Sequence, residues 1–239
     1  MKLTWLTVAA LVLASGAAAR SGSGLTVFAA SSLTDAFPKI DGSATYSFAG
    51  SNTLEAQIRQ GAPADVFASA NTALPNGLYM DHRCSKPVVF TRNTLVVIVP
   101  RKNPARIHRV ADLGKRGVKL VIATPGAPVG SYTLQVLKRL HLFRVLRNVV
   151  SRETDVREVL AKVALDEADA GFVYSTDART VPRKVRTITI PARGQPNVRY
   201  GICVVSGTPH KEAAQAFDKR VLSKAGQRIL ISYGFLPRR

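Results

Sequence analysis

The sequence predicts an α/β protein built as two doubly wound lobes with largely parallel sheets. Three observations carry that expectation. Apolar runs of strand length alternate with segments whose apolar residues recur at helical spacing. The alternation pauses at Pro100 and then begins again, as two halves of similar size require. No stretch rich in Pro, Gly or Ser separates the halves. The chain is therefore expected to cross between lobes at least twice, near 98–102 and near 195–200.

Each element follows from local pattern. Residues 25–30 read as a short buried strand, closed by Ser31 and Ser32 as helix-capping residues. Leu33, Ala36, Phe37 and Ile40 then space an apolar helical face. Residues 45–48 form a second strand that runs into Ala49-Gly50-Ser51-Asn52-Thr53, and Leu54 and Ile58 mark the next helix. Gly61-Ala62-Pro63 stops it, and 65–68 is a third strand. Residues 94–99 are the most apolar strand, ended by Pro100. The second half repeats the scheme: strand 119–123, helix 131–140, strand 147–150, helix 155–166 and strand 170–174. The apolar run 200–205 and helical patterns at 210–222 and 224–232 complete the chain. No internal repeat is present.

The N-terminus reads as an address. Lys2 precedes an apolar run over 3–15, and Ala17-Ala18-Ala19 offers small residues for cleavage. That run has about a dozen residues, whereas a spanning helix needs about 20. A signal peptide over 1–19 is expected, with no lipid-bearing cysteine after it. The mature chain is then soluble and extracytoplasmic, with lobe I at 25–98 plus 200–239 and lobe II at 99–199.

The chain carries a formal charge of +19. Such a field concentrates anions of any kind, whether nucleic acid, membrane surface or a small ion. Aromatic residues make up only 7% and do not alternate with basic ones, as single-strand binders require. Cys84 and Cys203 fit neither a metal-ligand nor a redox spacing, and the sequence leaves their pairing open. His82, His108, His141 and His210 lie in unrelated segments, and no paired acids stand at strand ends. An enzyme is therefore not expected, and neither a metal nor a cofactor.

In open α/β sheets, ligands bind beyond the carboxyl ends of the strands. Five such ends share a character: Ser31-Ser32, Gly50-Ser51-Asn52-Thr53, Pro128-Val129-Gly130-Ser131, Thr154-Asp155-Val156 and Tyr174-Ser175-Thr176. They offer hydroxyls and helix-start amides with few charges, which suits an anion. Any one of these loops is more often only a helix cap; five together point to an exported binding protein for something anionic. Neutral donors favour a fully ionised ion, because a protonated one such as hydrogen phosphate needs an acceptor. Asp155, the only acid beside these loops, is placed to cap the helix that follows it.

These residues also resemble a known family. The segment 27–36, Val-Phe-Ala-Ala-Ser-Ser-Leu-Thr-Asp-Ala, is similar to the opening of the periplasmic molybdate-binding proteins of ABC importers, the ModA family. So are Phe48-Ala49-Gly50-Ser51-Asn52-Thr53-Leu54 and the block 61–70, Gly-Ala-Pro-Ala-Asp-Val-Phe-Ala-Ser-Ala. Asn93 to Pro100, Pro128 to Tyr132, Asp155-Val156-Arg157, the segment 171–178 and Tyr233-Gly234-Phe235 follow in the family's order. The resemblance implies a type II periplasmic-binding-protein-like fold with a hinge crossed twice. It implies a ligand set of Ser32, Ser51, Val129, Val156 and Tyr174, with Ser32 and Ser51 in the first lobe. The serines would donate hydroxyl and amide, the valines backbone N–H, and Tyr174 its phenol. The implied ligand is molybdate, with tungstate beside it, and the implied partners are a membrane permease and its ATPase. A monomer without affinity for nucleic acid is expected. Two segments, 41–43 and 72–87, are shorter than the family pattern suggests. The rival expectations are a receptor for another tetrahedral oxyanion such as sulfate, or a basic module that binds an extracellular polyanion.

Overall fold

The computed structural model describes residues 24–239. The expected signal peptide over 1–19 lies outside the described residues. Among them, no helix is long and apolar enough to cross a membrane.

The first half of the chain builds β1 (Thr26–Ala30), α1 (Phe37–Ile40), β2 (Thr45–Ala49), α2 (Ser51–Arg59), β3 (Val66–Ser69), α3 (Ala73–Met80) and β4 (Val88–Asn93). The second half builds β5 (Leu95–Pro100), β6 (Leu120–Ala123), α4 (Pro128–Arg139), β7 (Val149–Glu153), α5 (Val156–Ala164), β8 (Ala170–Tyr174), α6 (Ser175–Thr180) and β9 (Val185–Thr189). The chain then returns through β10 (Val198–Val204), α7 (Lys211–Leu222) and α8 (Lys224–Ser232).

Two five-stranded sheets result, in the orders β2-β1-β3-β10-β4 and β7-β6-β8-β5-β9. They follow one plan. Three parallel strands wound with helices form one side of each sheet, and two antiparallel strands finish the other. The antiparallel neighbours of β3 and β8 are β10 and β5, the strands that follow the two crossings. The sheets are thus mixed rather than largely parallel.

Both faces of the first sheet are covered, which is why its central strands read as unbroken apolar runs. Val27 and Ala29 of β1, Val66 and Ala68 of β3, and Ile202 and Val204 of β10 face one core with Phe37, Phe90 and Phe217. Phe28, Phe67 and Cys203 point to the other face, against Leu54, Ile58 and Leu78 of α2 and α3. Cys84 joins that second cluster, and both cysteines are buried free thiols.

Several expectations are corrected. The chain leaves the first sheet at Thr94, not at 98–102, because β5 pairs along its length with β8 and β9. The apolar character of that strand comes from having neighbours on both sides within the second sheet. The return passes through residues 190–197. There, Gln195 donates from Nε2 to the Leu95 carbonyl (2.7 Å) and accepts the Leu95 N–H at Oε1 (3.2 Å), which ties the two crossings together. The helix expected over 33–40 is split into a 3₁₀ turn at Ser31–Leu33 and the short α1, with Pro38 in the first turn of α1. A helix, α3, occupies part of 72–87. Pro75 sits in its first turn, where a missing N–H costs nothing.

Candidate functional site

The carboxyl ends of β1, β2, β6, β7 and β8 converge from the two sheets on one small pocket lined mostly by buried residues. Its lining includes Ser32, Ser51, Val129, Val156 and Tyr174, together with Gly50, Ala70, Pro128 and Asp155. All five residues singled out from the sequence therefore meet at one place. The space admits the centre of a water-sized sphere over only about 10 Å³, about what one water needs and far too little for a sugar or a peptide.

Local sequence sets each wall. Ser32 sits in the 3₁₀ turn directly after β1 and is 3% exposed. Ser51 opens α2 after Gly50 and is 1% exposed. Pro128 takes the first position of α4, so Val129 supplies the first N–H of that helix. Asp155 caps α5 by accepting the N–H groups of Arg157 (2.6 Å) and Glu158 (3.3 Å), a cap that does not involve the Val156 amide. First-turn amides have no acceptor within their own helix, and the helix dipole adds positive potential there. Three helix N-termini, of α2, α4 and α5, thus face one point.

Two glycines make this approach feasible. A Cβ on Gly130 would lie 1.9 Å from the Thr124 carbonyl oxygen, so only glycine lets α4 start so close to the end of β6. A Cβ on Gly50 would lie 2.6 Å from the Thr154 carbonyl oxygen, which belongs to the opposite half of the pocket. The Gly50 position is therefore a measure of how tightly the halves meet. Arg157 spans the same junction. It donates from Nε to buried Asp177 (2.9 Å) and from an Nη to Asp35 on the first-sheet side (2.5 Å). Burial pushes the Asp177 carboxyl up to about 7, against the opposing pull of Arg157 and of the Tyr174 N–H.

The hydrogen bonds behind the pocket fix what its hydroxyls offer. Ser51 Oγ accepts the Ala70 N–H at 3.1 Å, leaving its own hydrogen for the cavity. Ser32 Oγ lies 2.9 Å from the Tyr200 hydroxyl. Tyr174 is 1% exposed, and its hydroxyl has no partner of acceptable geometry, although the Tyr200 phenol lies close by. Burial, with Tyr200, Tyr132 and Asp177 nearby, raises the Tyr174 phenol well above its ordinary value. It therefore stays an O–H donor. A buried donor without an acceptor costs about 1–3 kcal/mol, so its presence on the cavity wall is informative.

The sequence did not single out Tyr200, Asn93 or Arg157 as site residues. Tyr200 lies in an apolar strand and reads as core. Asn93 stands at the end of a strand that its polar neighbours hide. Only the Asp155-Val156-Arg157 motif drew attention to Arg157. Among the described residues, no cluster of three or more His, Cys, Asp or Glu could hold a metal ion.

Comparison with known proteins gives a consistent answer. The pattern that defines the family described as "Bacterial extracellular solute-binding protein" matches residues 25–236. The molybdate-binding protein ModA of Mycobacterium tuberculosis is 39% identical over 88% of this chain and 84% of its own length. That of Haemophilus influenzae is 32% identical over 98% of both chains. Among solved structures, the periplasmic molybdate-binding protein of Azotobacter vinelandii shares the fold. Its TM-score is 0.78, with 22% identity, 89% of this chain covered and 98% of the other.

Proposed function

This chain belongs to the ModA-type family of bacterial extracellular solute-binding proteins, and from that premise we propose that it captures molybdate outside the cytoplasmic membrane for an ABC importer. The observation that carries the reading is the Tyr174 hydroxyl, buried and unpartnered on the wall of a pocket faced by three helix N-termini. An ion that accepts from Tyr174, from the Ser32 and Ser51 hydroxyls and from the Val129 and Val156 amides would satisfy every donor at once. A compact tetrahedral dianion has that shape and needs no proton transfer. The protein is a receptor rather than an enzyme, and it holds its ligand without a cofactor.

The same residues explain the selectivity we assign. No free carboxylate faces the cavity, since the Asp155 carboxylate caps α5. A protonated anion would therefore find no acceptor for its hydrogen. Sulfate has shorter bonds than molybdate and would leave some donors incompletely bonded, each at a cost of about 1 kcal/mol or more. Tungstate matches molybdate in size and charge and should bind as well. Ligand touches residues from both sheets, so it favours the arrangement in which the halves meet. The signal peptide, the permease and ATPase partners and a monomeric state complete the proposal.

A thermal-shift panel of molybdate, tungstate, sulfate and phosphate at equal concentrations tests it. A rise in Tm with the first two ions and little with the others supports the reading. Equal rises with molybdate and sulfate would replace it with a general oxyanion receptor.

A further inference from the structure

A chain of hydrogen bonds runs from the hinge to the pocket, and the direction of its first links is fixed. Asn93 is the last residue of β4, directly before the first crossing. Its Oδ1 accepts the Thr94 backbone N–H at 2.9 Å, a donor that cannot reverse. The Ser175 hydroxyl also donates to Oδ1, at 3.1 Å. The orientation of the amide is thus set, and Nδ2 must be the atom that points the other way. It donates to Thr176 Oγ1 at 2.9 Å and to the Tyr200 hydroxyl oxygen at 3.4 Å. Tyr200, in β10 just after the return crossing, accepts from Asn93, and its hydroxyl lies 2.9 Å from Ser32 Oγ, a contact in which either group can donate. With Tyr200 as the donor, Ser32 has an occupied lone pair behind it and a hydrogen free for the cavity.

We propose, on the reading of this pocket as an oxyanion site, that Asn93 and Tyr200 are positioning residues that hold the Ser32 hydroxyl as a donor toward the ligand. Without the Asn93 amide, the Tyr200 hydroxyl is free to accept from Ser32, and without the Tyr200 hydroxyl nothing occupies the Ser32 lone pair; either way Ser32 can present a lone pair to the cavity. The pair therefore helps the pocket accept ions that are acceptors only and refuse ions that carry a proton. Ser51 receives the same treatment from a main-chain group, the Ala70 N–H. Ser32 differs because its polarity depends on side chains at both crossings. The Tyr200 ring is held independently by edge contacts with Phe90, Tyr174 and Phe235, at centroid distances of 6.0, 5.7 and 5.6 Å. Removing its oxygen alone should leave the packing in place.

The test is a double-mutant cycle with molybdate and phosphate as probes, using the mature chain. Tyr200→Phe should weaken molybdate binding about threefold to tenfold, the loss of one hydrogen bond. It should also narrow the ratio of molybdate to phosphate affinity, which simple loosening of the pocket would not do. In the Ser32→Ala background the same change should have no further effect, because its route to the ligand is gone. Asn93→Asp is a second route, since it exchanges the donor for an acceptor of the same shape. Its loss should largely disappear in the Ser32→Ala background, whereas mere charge repulsion would persist there. Losses that multiply in the double variants, or a Tyr200→Phe protein that binds like wild type, would overturn the proposal. A wild-type protein that binds no molybdate would instead refute the oxyanion reading on which it rests.

Discussion

Burying a phenol to 1% exposure without a partner works against folding, and Tyr174 is held there by β8 and by the start of α6. Replacing it with Phe removes both the unsatisfied donor and its use. Tyr174→Phe should therefore leave the unliganded protein as stable as before, or slightly more so. It should also weaken ligand binding by about 1–3 kcal/mol. Melting curves and titrations on the same sample check both halves. Asp218 shows the opposite balance, a cost with no use in the pocket. Burial alone pushes its carboxyl up to about 7, and Oδ1 has no partner. The folded state then holds this proton more firmly than the unfolded chain, so stability from this group falls as pH rises from about 4 to about 7. Above that window Asp218→Asn should stabilise the protein by about 1–2 kcal/mol, with the difference vanishing near pH 4. Melting midpoints across that range measure it. The five loops around the pocket were legible because hydroxyls and helix starts at strand ends leave a mark in sequence, and the resemblance to the molybdate-binding family picked out one residue in each. Tyr200 and Asn93 were not. A tyrosine in an apolar strand looks like core, and only the fold reveals which serine its hydroxyl reaches.

At the scale of elements, the pocket depends on how closely helix starts approach strand ends. Gly50 and Gly130 permit this for different reasons. Gly130 is needed within its own half, where α4 begins beside the end of β6. Gly50 is needed across the junction with Thr154. Gly50→Ala should therefore spare the fold of each half while holding the halves apart. The expected outcome is a near-normal urea midpoint with ligand affinity reduced at least tenfold. Parallel loss of stability and affinity would show that the glycine serves the first sheet alone. Most parallel strands and long helices could be read from periodicity, since both sheet faces are buried and their runs are continuous. β4 and β9 escaped because Arg92, Asn93, Arg186 and Thr187 interrupt the apolar pattern on strands at sheet edges. α3 escaped because Pro75, Asn76 and Gly77 look like a turn. The misplaced first crossing has the same origin, since the end of β4 is polar and the apolar run after it belongs to the other sheet.

Over the whole molecule, a strongly positive surface surrounds a pocket that contains no positive side chain. The two features act at different range. Surface charge attracts anions over about 8–10 Å at ordinary salt and is screened by added ions. Lys39, Arg157 and Arg179 line a cleft that shares Ser32 with the pocket, and Arg157 is paired there with Asp35 and Asp177. On the proposed reading the ion is then bound by neutral donors of buried residues, and screening acts only weakly on it. Arrival rate should thus depend on salt far more than affinity does. That separation distinguishes a receptor for one small ion from a basic surface that gathers polyanions, for which affinity itself falls steeply with salt. The most direct measurement is calorimetric titration of the mature protein with molybdate and with sulfate at low and high salt. The account predicts one-to-one molybdate binding of about −8 kcal/mol or stronger, nearly unchanged by salt, with sulfate at least tenfold weaker. Equal affinity for sulfate, or molybdate binding that collapses as salt rises, would contradict it.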